Sequence, residues 1–209
     1  MVEQAKDTEI KILDAAKEVF QQKGLTGARM QEIADKAGIN KALLHYYYRT
    51  KDKLFEKVFE LAFSVFIPKI RDTVLATNKS VFEKIEFFVE NYINLLIKHP
   101  FIPGFVISEL NRNPQILVNI FEKNVQFKEM NLFEKFDAQL KIEAEKGIIK
   151  PIDARNLMTT VIGMCIFPIV ARPIIQGIMF NNDKKEYDVF LSQRKKFVTE
   201  FIINSIKAQ

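Results

Sequence analysis

One cysteine, two histidines and no tryptophan in 209 residues leave little material for several kinds of chemistry. Cys165 alone excludes an internal disulfide framework and a multi-cysteine zinc site, and His45 with His99 are too few for a histidine-built metal centre. Cys165 has no acid or histidine partner evident in the sequence and sits in an apolar helix, which is the setting of an inert core thiol. His99 precedes Pro100 and reads as a helix-end residue. No glycine-rich phosphate loop and no paired His-Glu motif occurs. The chain is therefore expected to be neither an enzyme nor the holder of a metal or cofactor. Long apolar runs are also missing. The longest uncharged stretch, Asn156 to Ala171, is shorter than the roughly 20 residues a membrane span needs, and it contains Thr159, Thr160 and Pro168. The N-terminus is polar, with no signal-peptide pattern, so the expected location is the cytoplasm, with no membrane partner.

What is present is helical periodicity. No β-alternating segment appears, and the expected class is all-α. Asp7 or Thr8 caps a first helix that carries Ile10, Leu13, Ala16 and Phe20 to a stop at Gly24. After Lys51 a longer helix bears Leu54, Val58, Leu61, Ala62 and Val65 and ends near Pro68. Ser80-x-x-Glu83 is a capping box opening a helix that closes at His99-Pro100. Phe101 to Arg112 follows as a short helix. Asn113-Pro114 is expected to open one long helix to Lys146, stopped by Gly147. Asp153 caps the next, bent at Pro168 and Pro173 as far as Gly177, and Asp183-x-x-Glu186 opens the last, ending near Lys207. The count is nine: three helices in an N-terminal head and six behind it.

The most informative stretch runs from Met30 to Lys51, MQEIADKAGINKALLHYYYRTK. Met30, Ile33, Ala34 and Ala37 give a short helix one apolar face. Gly38 ends it in the left-handed conformation, Ile39 is a turn residue, and Asn40 caps a second helix that turns Leu44 and Tyr47 inward. Ala34 is small where two steeply crossing helices approach. Small Ala, turn Gly, apolar Ile and apolar Leu at these offsets form the helix-turn-helix pattern, whose second helix enters the major groove of DNA. An ordinary core hairpin would share the spacing. It would not present Lys41, His45, Tyr46, Tyr48, Arg49 and Lys51 on the other face, a density of hydroxyls and cations that suits phosphates. The net charge of +5 is modest, but it gathers here as Lys36, Lys41, Arg49, Lys51, Lys53 and Lys57 against Asp52 and Glu56. By position on the second helix, Lys41, Ala42, Leu43, His45 and Tyr46 lie nearest the bases or adjacent phosphates. Tyr47 is half core and half phosphate contact, and Lys51 is placed to hold a phosphate.

Gly24 to Leu54 resembles the DNA-binding domain of TetR-type transcriptional regulators. The residues that carry the resemblance are Ile33-Ala34, Ala37-Gly38-Ile39, the cluster Tyr46-Tyr47-Tyr48 and the entry to the fourth helix, Lys51-Asp52-Lys53-Leu54. Two positions depart from it: Ala28 and Arg29 stand where a Thr or Ser cap is usual, and His45 where Tyr is frequent. The resemblance implies a base contact from Gln31. It implies a second domain that binds a small-molecule effector, and a homodimer formed by the last two helices, Asp153–Gly177 and Asp183–Lys207, as a four-helix bundle. The domain division expected is 1–51 for the helix-turn-helix head and 52–209 for effector binding and dimerisation.

Sixteen of the nineteen phenylalanines lie from Phe63 onward, mostly as core. An apolar cavity with a few convergent polar groups is what a small-molecule site requires. The expected wall is Phe88, Tyr92, Phe105, Glu109 and Phe127, with Cys165 behind and Glu109 or Arg112 fixing a polar end. The functional expectation is a dimeric repressor of double-stranded operator DNA released by an apolar or aromatic effector. The alternative is an all-helical apolar-ligand-binding protein without a DNA role.

Overall fold

The computed structural model describes residues 2–64, 67–112, 114–115, 118 and 131–208. Its helices are α1 (Val2–Gly27), α2 (Met30–Ala37), α3 (Lys41–Tyr47), α4 (Lys51–Ser64), α5 (Ile67–Leu75), α6 (Val81–Lys98), α7 (Phe101–Arg112), α8 (Leu132–Glu145), α9 (Ala154–Val170) and α10 (Lys184–Ile206). The fold is all-α; among the described residues the only β-type pairing is an isolated bridge between Ile149 and Lys207.

Two compact units divide the chain, Met1–Val65 with Gly104–Asn124 and Phe66–Pro103 with Val125–Gln209. The expected boundary after residue 51 differs from this division. Leu54, Phe55, Val58 and Phe59 of α4 are buried in the head's own core, so α4 packs with the first unit. Helix α4 is described to Ser64 and α5, which contains Pro68, from Ile67; the passage between them, residues 65–66, lies outside the described residues.

In the first unit, Ile12, Ala15, Ala16, Val19 and Phe20 of α1 pack with Ile33, Ala34 and Leu44. This face is rotated from the expected one, and Ile10 is 51% exposed. Phe20 meets Phe55 edge-on with ring centroids 5.2 Å apart. The Tyr48 hydroxyl donates to Glu9 Oε1 at 2.9 Å, pinning the end of α3 to α1. Helix α1 is broken at Gly24, whose φ of 67° and ψ of 179° belong to a region essentially restricted to glycine. The Ala28 amide restarts the hydrogen bonding on the Gly24 carbonyl at 3.2 Å.

In the second unit the capping box forms as expected, with the Ser80 amide donating to Glu83 Oε2 at 2.8 Å and the Glu83 amide to Ser80 Oγ at 3.3 Å. Val81, Ile85, Val89, Ile93 and Leu96 of α6 face Leu140, Leu157, Val161, Cys165, Val198 and Ile202. The long helix expected over 113–146 is not continuous. Asn131 has φ of 48°, outside right-handed helical space, and α8 starts after it; residues 113, 116–117 and 119–130 lie outside the described part. Helix α9 bends by 59° into Arg172–Met179. Pro168 and Pro173 supply the cause, since each lacks an amide donor and its ring crowds the preceding turn. The Tyr187 hydroxyl, fully buried, donates to the Pro168 carbonyl at 2.8 Å. Among the described residues, no single helix is long and apolar enough to cross a membrane.

Gly24 is the position least tolerant of a side chain. A Cβ there would overlap the Arg112 guanidinium, stand 2.8 Å from Glu109 Oε1, and suffer the positive φ. Gly24→Ala is expected to lower stability by at least about 1–3 kcal/mol, read from the urea midpoint of the whole chain; an unchanged midpoint would contradict the geometry.

Candidate nucleic-acid interface and effector cavity

The turn between α2 and α3 is built by three local devices. Gly38 is left-handed (φ 68°, ψ 31°), and its amide donates to Asp35 O at 3.2 Å. The Ile39 amide donates to Ala34 O at 3.0 Å. Asn40 caps α3 by accepting the Leu43 amide at 2.7 Å. Ala34 and Leu44 are both fully buried, so the two helices meet through a small residue and a leucine. Helix α2 has no side-chain cap, since Arg29 at that position makes no such bond.

The opposite face of α3 is open. Lys41, Ala42, Leu43, His45, Tyr46 and Arg49 are all exposed, Tyr46 to 83%. His45 Nδ1 lies 3.3 Å from the Arg49 carbonyl, and the Tyr46 ring stands edge-on to Tyr47 at 5.7 Å. Tyr47 is half-buried, as expected for a residue between core and surface. Tyr48 is not on this face. It is buried, and burial together with the Glu9 carboxylate raises its pKa.

The basic residues sort into two sets. Lys36 pairs with Glu18 at 2.6 Å, Lys23 with Glu32 at 2.7 Å and Lys57 with Glu60 at 3.7 Å. Arg29, Lys41, Arg49 and Lys53 have no carboxylate partner among the described residues, and all four are exposed. Arg49 was expected on the phosphate-facing side from sequence, whereas Arg29 was not, although its charge beside the turn was a usable signal. Lys51 also serves the head's own main chain. Its ammonium donates to Thr26 O at 3.3 Å and Ala28 O at 3.0 Å, holding the α1–α2 connection. Gln31 is exposed and donates to Asp35 Oδ1 at 2.8 Å, so a base contact would have to replace that bond.

The second unit holds an apolar cavity of about 60 Å³ walled by α5, α6, α8 and α9, with Val74, Ile85, Phe88, Phe136, Leu157 and Met158 among its lining. Of the expected wall, Phe88 is there. Tyr92 packs on Phe88 with centroids 5.4 Å apart and lies near Cys165; both belong to the same core. Burial pushes the Tyr92 hydroxyl and the Cys165 thiol each up to about 12. The Phe105 side chain and all of Phe127 lie outside the described part. Glu109 is elsewhere: it belongs to the first unit, is buried, and accepts the Leu25 amide at 3.1 Å. Arg112 is there too, donating to the Lys23 carbonyl at 3.3 Å. Neither is a polar end for this cavity.

Lys84 at the cavity edge was missed by sequence reasoning. Its ammonium is buried and donates to Val74 O at 2.7 Å and Gln139 Oε1 at 2.5 Å. Burial lowers its pKa, offset by Glu143. Glu143 accepts the Val81 amide at 3.1 Å and Gln139 Nε2 at 2.7 Å, so Gln139 links Lys84 to Glu143 in one hydrogen-bonded chain.

The second unit also exposes large apolar side chains on α9, its bent extension and α10. Phe167 is 64% exposed, Ile178 76% and Phe201 55%. Phe197 and Phe201 stack with centroids 6.0 Å apart, and the Arg194 guanidinium lies 5.3 Å from the Phe197 ring. Not every apolar residue of these helices faces outward: Ile202 is buried in the unit's own core, and Ile166 packs against the same core.

Residues 12–58 match the family of bacterial regulatory proteins, tetR family. Over 101 residues the chain is 32% identical to the HTH-type transcriptional repressor NicS of Pseudomonas putida, a match spanning 47% of this chain and only 46% of NicS. It is 25% identical over 170 residues to the HTH-type transcriptional regulator UidR of Escherichia coli, covering 78% of this chain and 83% of UidR. The fold matches the transcriptional regulator FadR from Bacillus subtilis, solved with stearoyl-CoA, at a TM-score of 0.64 and 18% identity over 94% of this chain and 98% of that one. With the turn geometry above, residues 12–58 are similar to the DNA-binding head of tetR-family regulators, and the chain as a whole is similar to such regulators in fold.

Lys51→Ala removes a cationic donor from two carbonyls and is expected to destabilise the protein by roughly 1–3 kcal/mol without DNA present; an unchanged urea midpoint would mean the ammonium has no such role. Cys165, with its pKa raised, stays protonated at ordinary pH and is walled in. A thiol reagent at pH 8 is therefore expected to modify the native protein far more slowly than the urea-unfolded chain, and equal rates would contradict its placement.

Proposed function

We propose that the chain acts as a homodimer that binds double-stranded operator DNA through α3 and represses transcription until a small apolar effector enters the cavity of the second unit. The observation that carries this reading is the two-sided α3: Leu44 is fully buried, while Lys41, Leu43, His45, Tyr46 and Arg49 face solvent. Phosphate contacts fix register, and base-edge contacts select sequence. Arg29, Lys41, Arg49, Lys53 and the remaining N–H of Lys51 suit the first role. Ala42, Leu43, His45, Tyr46 and, once released from Asp35, Gln31 suit the second, with Tyr47 at the margin. DNA binding also implies a cytoplasmic location.

The exposed apolar face on α9 and α10 supports dimerisation. Leaving Phe167, Ile174, Ile178, Met179, Phe197 and Phe201 in water is costly, whereas an obligate dimer interface buries upwards of about 2,000 Å². A dimer also doubles the length of DNA read by so small a head.

For the effector, the support is the cavity at Phe88. It is far smaller than the roughly 300–1,000 Å³ of a drug-sized site, so binding requires the helices around it to part. A ligand with higher affinity for the parted state can then shift the DNA-binding equilibrium, and only by that difference in affinity. Apolar walls favour a hydrocarbon or aromatic group. The stearoyl-CoA held by FadR is in keeping with this chemistry.

The test is fluorescence anisotropy on duplex DNA from upstream of the protein's own gene, titrated with salt. The logarithm of affinity is expected to fall with the logarithm of salt at about 0.9 per phosphate contacted, and Arg49→Ala should reduce that slope by about one unit. A salt-independent interaction, or none, would favour an apolar-ligand carrier instead. Phe197→Asp is expected to yield a monomer in sedimentation and to lose specific binding; a variant that remains a dimer would contradict the interface.

A further inference from the structure

Helix α1 is broken at Gly24, and the break lies immediately before the helix-turn-helix pair. Leu25 is the first residue of the turn beyond it. Residues opening a helical segment have no carbonyl four places back to receive their amides, and Leu25 is buried away from water. Its amide is taken by Glu109 Oε1 at 3.1 Å, from a residue 84 positions away. One turn further along α7, Arg112 Nη1 donates to the Lys23 carbonyl, just before the break, at 3.3 Å. An acceptor and a donor on one face of α7 thus hold the main chain on both sides of Gly24. The approach is so close that a Cβ on Gly24 would overlap Arg112. Val106, one turn before Glu109, packs on the same core.

We infer that Glu109 and Arg112 are positioning residues for DNA binding: they fix the angle at which the chain leaves α1, and through it the placement of α2 and α3. This rests on the DNA-binding reading. A burial role alone would not need a carboxylate, since an apolar side chain fills such a site at lower cost in desolvation. The Leu25 amide requires an oxygen, and Glu109 Oε1 supplies it. Lys51 completes the hold from the other side through Thr26 O and Ala28 O. Helix α7 begins in the second unit and carries these residues in the first, so a displacement of α7 along its axis would be felt at the break.

The experiment uses the whole chain and two readouts. Amide hydrogen exchange at Leu25 in the DNA-free protein tests the clamp, and salt-dependent anisotropy on upstream duplex DNA tests its consequence. Glu109→Ala is expected to speed Leu25 exchange and weaken DNA about tenfold, with the salt slope unchanged because no phosphate contact is lost. Glu109→Gln keeps an acceptor oxygen and is expected to stay within about threefold of the parent on both readouts. Should Glu109→Ala not fold, Arg112→Met, at an exposed position, carries the same comparison through exchange at 23–27 and DNA affinity. The inference is overturned if exchange is unaltered, if exchange rises with no loss of DNA affinity, or if Glu109→Gln is as damaging as Glu109→Ala. Failure of the parent protein to bind any duplex would instead overturn the DNA-binding reading, with the exchange readout still deciding whether the clamp exists.

Discussion

Everything in the head hangs on how the main chain leaves α1. Gly24 breaks the helix in a conformation that L side chains avoid, and three residues from elsewhere in the sequence hold the main chain on either side of it: Glu109 on the Leu25 amide, Arg112 on the Lys23 carbonyl, Lys51 on the carbonyls of Thr26 and Ala28. Each satisfies a main-chain group that the break or the helix end would leave short of a partner. The connection from α1 to α2 is therefore set by specific hydrogen bonds rather than by packing alone. Helix α2 has no side-chain cap of its own, so the path of the chain into it depends on this external hold.

With that segment fixed, the helix-turn-helix pair needs only local chemistry. Gly38 and Asn40 define the turn, and Ala34 permits the close crossing. The pair has a dry face and a wet one, and the wet face concentrates the cations that are not neutralised by carboxylates. That sorting matters more than the net charge, because Lys23, Lys36 and Lys57 each meet an acid on the head's own surface. The second unit divides likewise: α6 and α8 are locked at their ends by the Lys84–Gln139–Glu143 network, and α9 with α10 turn large apolar side chains outward.

The head was legible in the sequence because its devices are local. A glycine stop, an asparagine cap and a small residue at a crossing each act within four positions. The all-α class and the Ser80–Glu83 capping box were legible for the same reason. Long-range pairings were not. Glu109 and Arg112 sit on a helix with apolar neighbours, which pointed to a ligand wall, while their partners lie 84 and 89 positions away. Charge counted along the chain could not tell that Lys51 serves two carbonyls, or that Tyr48 turns into the core. One helix misled where a single residue changed the backbone: Asn131 in left-handed space interrupts the long helix that the apolar periodicity predicted.

Sequence selection by the purified protein from a pool of random duplex DNA tests α3 and the dimer together, more directly than any single variant does. Two identical heads carried by a dimer should enrich a two-fold symmetric sequence, its half-sites centred about one helical turn apart or a multiple of it, and Leu43→Ala should change the preferred bases within each half-site. Enrichment of a single, asymmetric element would contradict the dimer, and no enrichment at all would contradict α3 as a reader of DNA.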